Sequence, residues 1–312
     1  MKISQKTDKV LKKILGTYIV LQVLFVAGFA AHPPIGAIAM TLVGRGPECG
    51  ITESIRSFYR RWRTPLYQQA AVRRSKPLRK EGGYQLLDTP YGQIWEPEIV
   101  GSAILAQIGE IEGKYAGFEG TPIRKGDIVL DGGANIGVTV MYALSLGAAK
   151  VVAIEPSPRN VEVLNRNFSK QIAEGRVIVY PKGVWDKDDV LKMNVNDDTS
   201  AMDSVVLKRN SNRTVDIPLT TIDKLVEELK LERVDFIKLD TEGADKQAMR
   251  GARQTIARYR PRFEISVDHL PGDPIAVPAL LKSMDPSYKT RCLVCDADWN
   301  VWRMHSTILY FD

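Results

Sequence analysis

The sequence predicts an α/β fold on a mostly parallel sheet, and three observations carry that reading. Short apolar runs at 127–131, 151–155, 176–180, 234–240 and 262–268 have the length and β-branched content of buried strands. Helical stretches at 137–147, 158–170, 221–230 and 243–258 alternate with them, as crossovers between parallel strands require. The first run ends in Asp131 and breaks into Gly132-Gly133-Ala134-Asn135-Ile136-Gly137, a turn that opens a crevice at the strand's carboxyl end.

The chain begins with a basic leader. Residues 1–80 hold 15 Lys/Arg against 3 Asp/Glu, net +12, whereas the rest holds 28 against 34, net −6. An acidic body argues against nucleic acid as a partner, and a basic leader suits an anionic membrane surface. Ile14 to Ala31 is an apolar run of 18 residues with Gln22 its one strongly polar member. That is close to the ~20 residues needed to span a bilayer. The apolar character resumes from Ile35 to Val43 after Pro33-Pro34, so a signal peptide is disfavoured. Basic residues flank both ends, and the positive-inside rule leaves a single span and a turned-back anchor both open. Residues 1–45 are therefore expected to be a membrane helix or hairpin, with contact through 14–43 and the body on the cytoplasmic side.

Residues 46–83 are expected to be a basic amphipathic helix and linker. Ile51, Ile55, Phe58 and Trp62 fall at helical spacing with arginines between them, and Pro65 is expected to end the helix. Arg73 to Lys80 is read as a linker, so the globular domain is expected over 84–312. Within it, 186–218 is turn-rich with strand-like ends, as for a hairpin beside the cleft. The chain should close on two short strands, 290–294 and 306–311, near a turn at Asp296-Ala297-Asp298. The three cysteines, Cys49, Cys292 and Cys295, are read as reduced thiols in a reducing compartment. A lone Cys-x-x-Cys with no histidine nearby gives no reason to expect a metal site.

The turn spelling narrows the cofactor. A dinucleotide fingerprint needs Gly-x-Gly-x-x-Gly, which no frame of 132–137 supplies. Asp131 would repel a diphosphate but suits the cationic methionine portion of S-adenosylmethionine. Glu155, 24 positions on, is placed to grip a ribose. The cofactor residues expected are Asp131, Gly133, Ala134, Asn135, Gly137 and Glu155, with Gly183 near the adenine.

Several ordered blocks resemble the FkbM-type methyltransferases: Asp131 to Gly137, Glu155-Pro156, Asp235 to Asp245, Pro261 to His269, Leu281 to Tyr288 and Thr307 to Tyr310. One departure is Asp245, where that family more often carries glutamate. The resemblance covers about 84–312. It implies a class I, Rossmann-like methyltransferase fold, with a seven-stranded sheet and one antiparallel strand. It also implies methyl transfer from S-adenosylmethionine to a hydroxyl on a small molecule. Strand counting then places Asp240 and His269 where an acceptor would lose its proton, and histidine's neutral pKa makes His269 the expected base. Lys238 shares a side with Asp240 on an alternating strand, and a purely structural ion pair between them is the alternative. The anchor suggests a lipid, a lipid-linked sugar or another membrane metabolite as acceptor. A non-catalytic subunit of a membrane complex, with a methyltransferase-like fold, is the competing reading.

Overall fold

The computed structural model describes residues 33–47, 49–98, 103–118, 122–194, 206 and 214–312. The apolar run 14–31 lies outside these residues, as does most of the segment joining the strands of the expected hairpin. Seven strands form the main sheet: β4 (Ile128–Gly132), β5 (Lys150–Ile154), β6 (Val177–Tyr180), β10 (Phe236–Leu239), β11 (Arg262–Ser266), β12 (Thr290–Asp298) and β13 (Arg303–Phe311). Their order is β12-β13-β11-β10-β4-β5-β6. Strands β11, β10, β4, β5 and β6 pair in parallel, and β13 runs antiparallel to both its neighbours. This is the seven-stranded, mostly parallel sheet that the sequence led us to expect.

Both faces of the sheet are buried, which is why its strands read as apolar runs. Leu130, Val152, Ile237 and Leu239 enter one core, while Val129, Val151, Ala153 and Phe236 enter the other. The helices that cover these faces are α4 (Val138–Ser145), α5 (Pro158–Asn167), α6 (Ser169–Ala173), α7 (Ile222–Glu228), α8 (Asp245–Arg250), α9 (Arg253–Tyr259) and α10 (Asp273–Met284). The expected hairpin is present as β8 (Asp189–Asn194) against β9 (Thr214–Thr220), with β7 (Gly183–Val184) parallel to β9. The last two strands are longer than expected and turn at 299–302, because β12 and β13 pair as far as Asp298 and Arg303.

The N-terminal third departs most from expectation. The second apolar stretch is α1 (Pro33–Leu42), and it buries Ala37 and Met40 in the same core as Cys292 and Met304. At 1.5 Å per residue it is about 15 Å long, half the thickness of a hydrocarbon layer. Among the described residues no helix is long and apolar enough to cross a membrane. Nor does Pro65 end the next helix, since α2 runs unbroken over Ile51–Arg74. The supposed linker is its last turn followed by β1 (Lys76–Glu81), which pairs with β2 (Tyr84–Thr89) and through it with β3 (Gly92–Pro97). Ordered structure therefore begins well before Tyr84.

Tertiary contacts hold α2 where propensity would have stopped it. It lies against α3 (Ala103–Tyr115) and β12. Arg60, 6% exposed, donates from Nε to the Leu293 carbonyl and from a terminal nitrogen to that of Cys292, each at 3.0 Å. These carbonyls lie where the register of β12 shifts on the sheet's edge, so the guanidinium satisfies groups that would otherwise be open. Nearby, Cys49 is bonded to Cys292, across 243 positions, and Cys295 is free and buried. The expectation of three reduced thiols is thus corrected: folding brings Cys49 to Cys292, a proximity that sequence spacing cannot show.

Gly109 sets how closely the two helices approach. A Cβ there would stand 2.4 Å from the Gln68 Cα, and one at Gly113 would stand 3.0 Å from Thr64 Oγ1. Gly109→Ala should therefore destabilise the protein, because overpacking against backbone costs about 1–3 kcal/mol. The helix-propensity gain from glycine to alanine, up to about 1 kcal/mol, opposes this but is the smaller effect. Equilibrium unfolding in denaturant measures the balance, and a stabilised variant would contradict the close crossing.

Candidate active site

The turn after β4 is held from two sides. Gly133 and Ala134 both donate to the Ile154 carbonyl, at 3.0 and 3.1 Å. Gly133 has φ +76°, and a Cβ on it would lie 2.1 Å from the Asp240 carbonyl oxygen, so only glycine fits. Asn135 N donates to Glu155 Oε2 at 2.8 Å, while Glu155 Oε1 accepts from Ser157 N at 2.9 Å and Asn160 Nδ2 at 3.2 Å. The carboxylate at the tip of β5 is fixed in direction by this turn. Gly137, φ +97°, begins α4 with its Cβ position 2.2 Å from the Phe168 ring.

Next to the turn, the parallel register sets Asp131 beside Lys238 and Lys238 beside Glu264. The Lys238 Nζ lies 3.3 Å from Asp131 Oδ1 and 3.6 Å from Asp240 Oδ2, and it donates to the Gly133 carbonyl at 3.2 Å. Burial works against its charge, but Asp131, Asp240 and Glu264 hold its pKa above the ordinary lysine value. Glu264 is matched in turn by Lys114 at 2.6 Å and by the Tyr115 hydroxyl.

Beyond the ends of β10 and β11, His269 stands among three acids. Its Nδ1 donates to Asp245 Oδ2 at 3.2 Å, and its Nε2 lies 3.4 Å from Asp240 Oδ1 and 3.8 Å from Glu242 Oε1. Asp245, 1% exposed, also accepts from Thr241 N and Oγ1 through its other oxygen, at 3.0 and 2.8 Å. Burial disfavours the imidazolium, yet the hydrogen bond to Asp245 and the charges of Asp240, Asp245 and Glu242 push its pKa up to about 9. Burial likewise disfavours the charged form of Asp240, but Lys238 and His269 hold its pKa below the usual aspartate value. At neutral pH the pair is therefore an imidazolium facing a carboxylate.

These groups open onto one cavity of about 420 Å³ at the carboxyl ends of the parallel strands. Gly133, Ala134, Asn135, Glu155 and Gly183 line it, as do Lys238, Asp240 and His269. Two expected cofactor residues do not. Asp131 is 0% exposed and faces Lys238, so its charge meets the cavity only through that ammonium. Gly137 is a packing position against Phe168. Among the described residues no group of three or more His, Cys, Asp and Glu side chains is gathered as a metal site.

Residues 131–288 match the family described as Methyltransferase FkbM domain. The chain belongs to the FkbM methyltransferase family. A solved FkbM methyltransferase from Methylobacillus flagellatus is 19% identical, with a TM-score of 0.44, and the match covers 80% of this chain. The chain spans 59% of that protein's length. An O-methyltransferase from Bacillus cereus, solved with SAH, is 14% identical over 60% of this chain and 73% of its own, with a TM-score of 0.35. The tRNA m1G37 methyltransferase of M. jannaschii is 12% identical over 75% of this chain and 56% of its own, with a TM-score of 0.41. No curated protein matches the chain.

Outside the FkbM blocks, α2 and α3 supply a wall that sequence reasoning missed. Arg61 and Thr64 come from α2, and Gln107, Glu110 and Lys114 from α3. The signal was present in α3, where Ile104, Ile108 and Ile111 mark the core face and 107, 110 and 114 fall on one adjoining face. Asp245 was noticed as a departure from the family pattern, but not as the partner of His269.

NMR titration of His269 should give a midpoint near 9, and Asp245→Asn should lower it. A midpoint at the ordinary 6.5 would remove the imidazolium from the site. Because the folded value lies above the unfolded one, its stabilising effect is complete below pH 6.5 and fades as pH rises through 9.

Proposed function

We propose that this FkbM methyltransferase transfers a methyl group from S-adenosylmethionine to a hydroxyl of a lipid, lipid-linked sugar or other small metabolite at a membrane. The observation that carries this reading is one cavity with Glu155 at one end and the Asp240–His269 pair at the other. Its volume falls within the ~300–1,000 Å³ of small-molecule sites. The residues present fit the donor. Glu155 is aimed to accept from ribose hydroxyls, and Val184, Met193 and Leu219 offer an apolar slot beside Gly183 for the adenine. Carboxylates of Asp240, Glu242 and Asp268 face the region where a sulfonium would lie. Bound there, S-adenosylmethionine supplies an electrophilic methyl group.

The chain's own work is alignment and one proton transfer. Holding donor and acceptor in line can supply ~7–11 kcal/mol of the barrier. At neutral pH His269 already carries its proton, so a carboxylate must accept the hydroxyl's proton, and we assign this to Asp240, which His269 Nε2 faces at 3.4 Å. In this reading His269 is a positioning cation that fixes the direction of that carboxylate, and Lys238 holds it from the strand side. The acceptor end also carries Glu110 and Asp296, with Arg61 paired to Asp296 and Lys114 to Glu264, which suits a neutral hydroxyl-rich group better than an anionic one.

Calorimetric titration with S-adenosylmethionine is the direct test: binding is expected, and Glu155→Ala should weaken it. Absence of binding would leave a structural-subunit role instead. With tritiated donor and a total lipid extract, Asp240→Asn should cut incorporation ~10²–10⁴-fold, the range for a lost general base, at saturating donor.

We place the body on the cytoplasmic face, on the reading in which the apolar leader turns back so that the basic residues on both its flanks stay on one side. Cys49 and Cys292 make this measurable. The bond between them in the structure would be opened by a reducing cytoplasm, so in cells quenched with acid and then alkylated a cytoplasmic body should yield both thiols in reduced form. Recovery of the bonded pair would put it on the oxidising side.

A further inference from the structure

We propose that the outward face of α2 is a docking surface for an anionic lipid bilayer, which holds the mouth of the cavity at headgroup level. The proposal rests on the membrane attachment read above. The inner face of α2 is committed to the body, with Ser54, Ser57, Phe58, Arg60 and Thr64 buried. The opposite face carries Tyr59, Trp62 and Leu66 at helical spacing, exposed by 45, 47 and 55%. Half-exposed aromatic and aliphatic groups in one row mark an interaction surface rather than scattered apolar positions.

Charge and chemistry select the occupant. The one acid of α2 is Glu53, and it pairs with Arg60 on the inner side at 3.2 Å. On the outward side the charged groups are arginines. The Arg63 guanidinium lies over the Tyr59 ring at 5.6 Å and the Tyr67 ring at 5.9 Å, and the Tyr59 and Trp62 rings are 5.7 Å apart. Arg73 extends the row at the last turn. Aromatic rings with arginines and no carboxylate match the headgroup boundary, where the rings sit between water and acyl chains and the cations meet anionic lipid. The rest of the body, net −6 beyond residue 80, would be repelled by such a surface, so contact must come through this segment. The 18-residue apolar run ends at Ala31, only 20 positions before α2 begins, which keeps this face near any bilayer the run enters.

The same helix connects the surface to the site. Arg61, next to Trp62, lines the cavity and pairs with Asp296 at 3.3 Å. A bilayer seated on the outer row would thus leave the opening beside the headgroups, where a lipid-borne hydroxyl is presented without leaving the membrane.

The full chain is mixed with phosphatidylcholine vesicles, with or without phosphatidylglycerol, whose acyl chains carry bromine as a tryptophan quencher. Quenching is expected with phosphatidylglycerol, and it should be lost in Trp62→Phe and in purely zwitterionic vesicles. Arg63→Gln with Arg73→Gln should raise the anionic-lipid fraction needed for half-quenching. Each arginine is worth about 1 kcal/mol at such a surface, about a fivefold change in partition. If the chain floats with the vesicles but Trp62→Phe leaves the quenching unchanged, the docking face is overturned and the attachment stands. If the chain does not float, the attachment fails with it. Trp62-dependent self-association in sedimentation equilibrium would assign the face to a second copy instead. Donor binding by calorimetry, unchanged in both variants, shows that they remain folded.

Discussion

The site depends on a row of alternating charges across the middle of a buried sheet. Asp131, Lys238 and Glu264 are register partners on three neighbouring parallel strands, so their side chains leave the same face side by side. Lone charges there would be costly to bury; in sequence they neutralise one another, and Lys114 closes the row from the helix above. Lys238 is the link to chemistry, because it also reaches the Gly133 carbonyl and the Asp240 carboxylate. One ammonium thereby ties the turn after β4 to the end of β10. The close fit of Gly133 against the Asp240 carbonyl fixes the same two segments from the backbone side.

Much of this was legible. Strands buried on both faces must be apolar throughout, so β4, β5, β6, β10 and β11 could be read to within a residue or two of their ends. The turn at 132–137 was legible because few residues tolerate its backbone. Asp131 was read less well: its type said that an acid ends the first strand, but register decided that it meets Lys238 before any ligand. His269 is a similar case, since an isolated histidine titrates near 6.5 and only the fold reveals three acids around it. Distant contacts of this kind leave no mark in local spacing.

The N-terminal third was misjudged for a different reason. Pro65 and the polar stretch 73–80 are valid stop signals for an isolated segment, yet α2 is secured by Arg60 on the β12 carbonyls and by the glycine seam of α3. Such contacts override a local cost of ~3 kcal/mol for proline inside a helix. The six residues of β1 are exposed throughout, so no alternation announces a strand there. What reads as an appendage is in fact a wall of the cavity, and the proposed acceptor end lies partly outside the segment that defines the family.

That division has a chemical consequence. The matched segment, 131–288, holds the turn, Glu155, Asp240 and His269, the residues that the proposed reaction uses to seat the donor and take up a proton. Arg61, Thr64, Gln107, Glu110 and Lys114 precede it, while Asp296 and Thr307 follow it. In the proposed reaction the groups that need the same geometry for every acceptor sit at strand ends, where the register of the sheet fixes them. In the proposed reaction most groups that face the acceptor hang on helices whose position is set by two glycines and an edge strand, while Asp296 and Thr307 lie on the last two strands. A shift of α2 would alter the acceptor wall while leaving Asp131, Lys238 and Glu264 fixed on their strands, so in the proposed reaction specificity can change here without disturbing the donor half of the site.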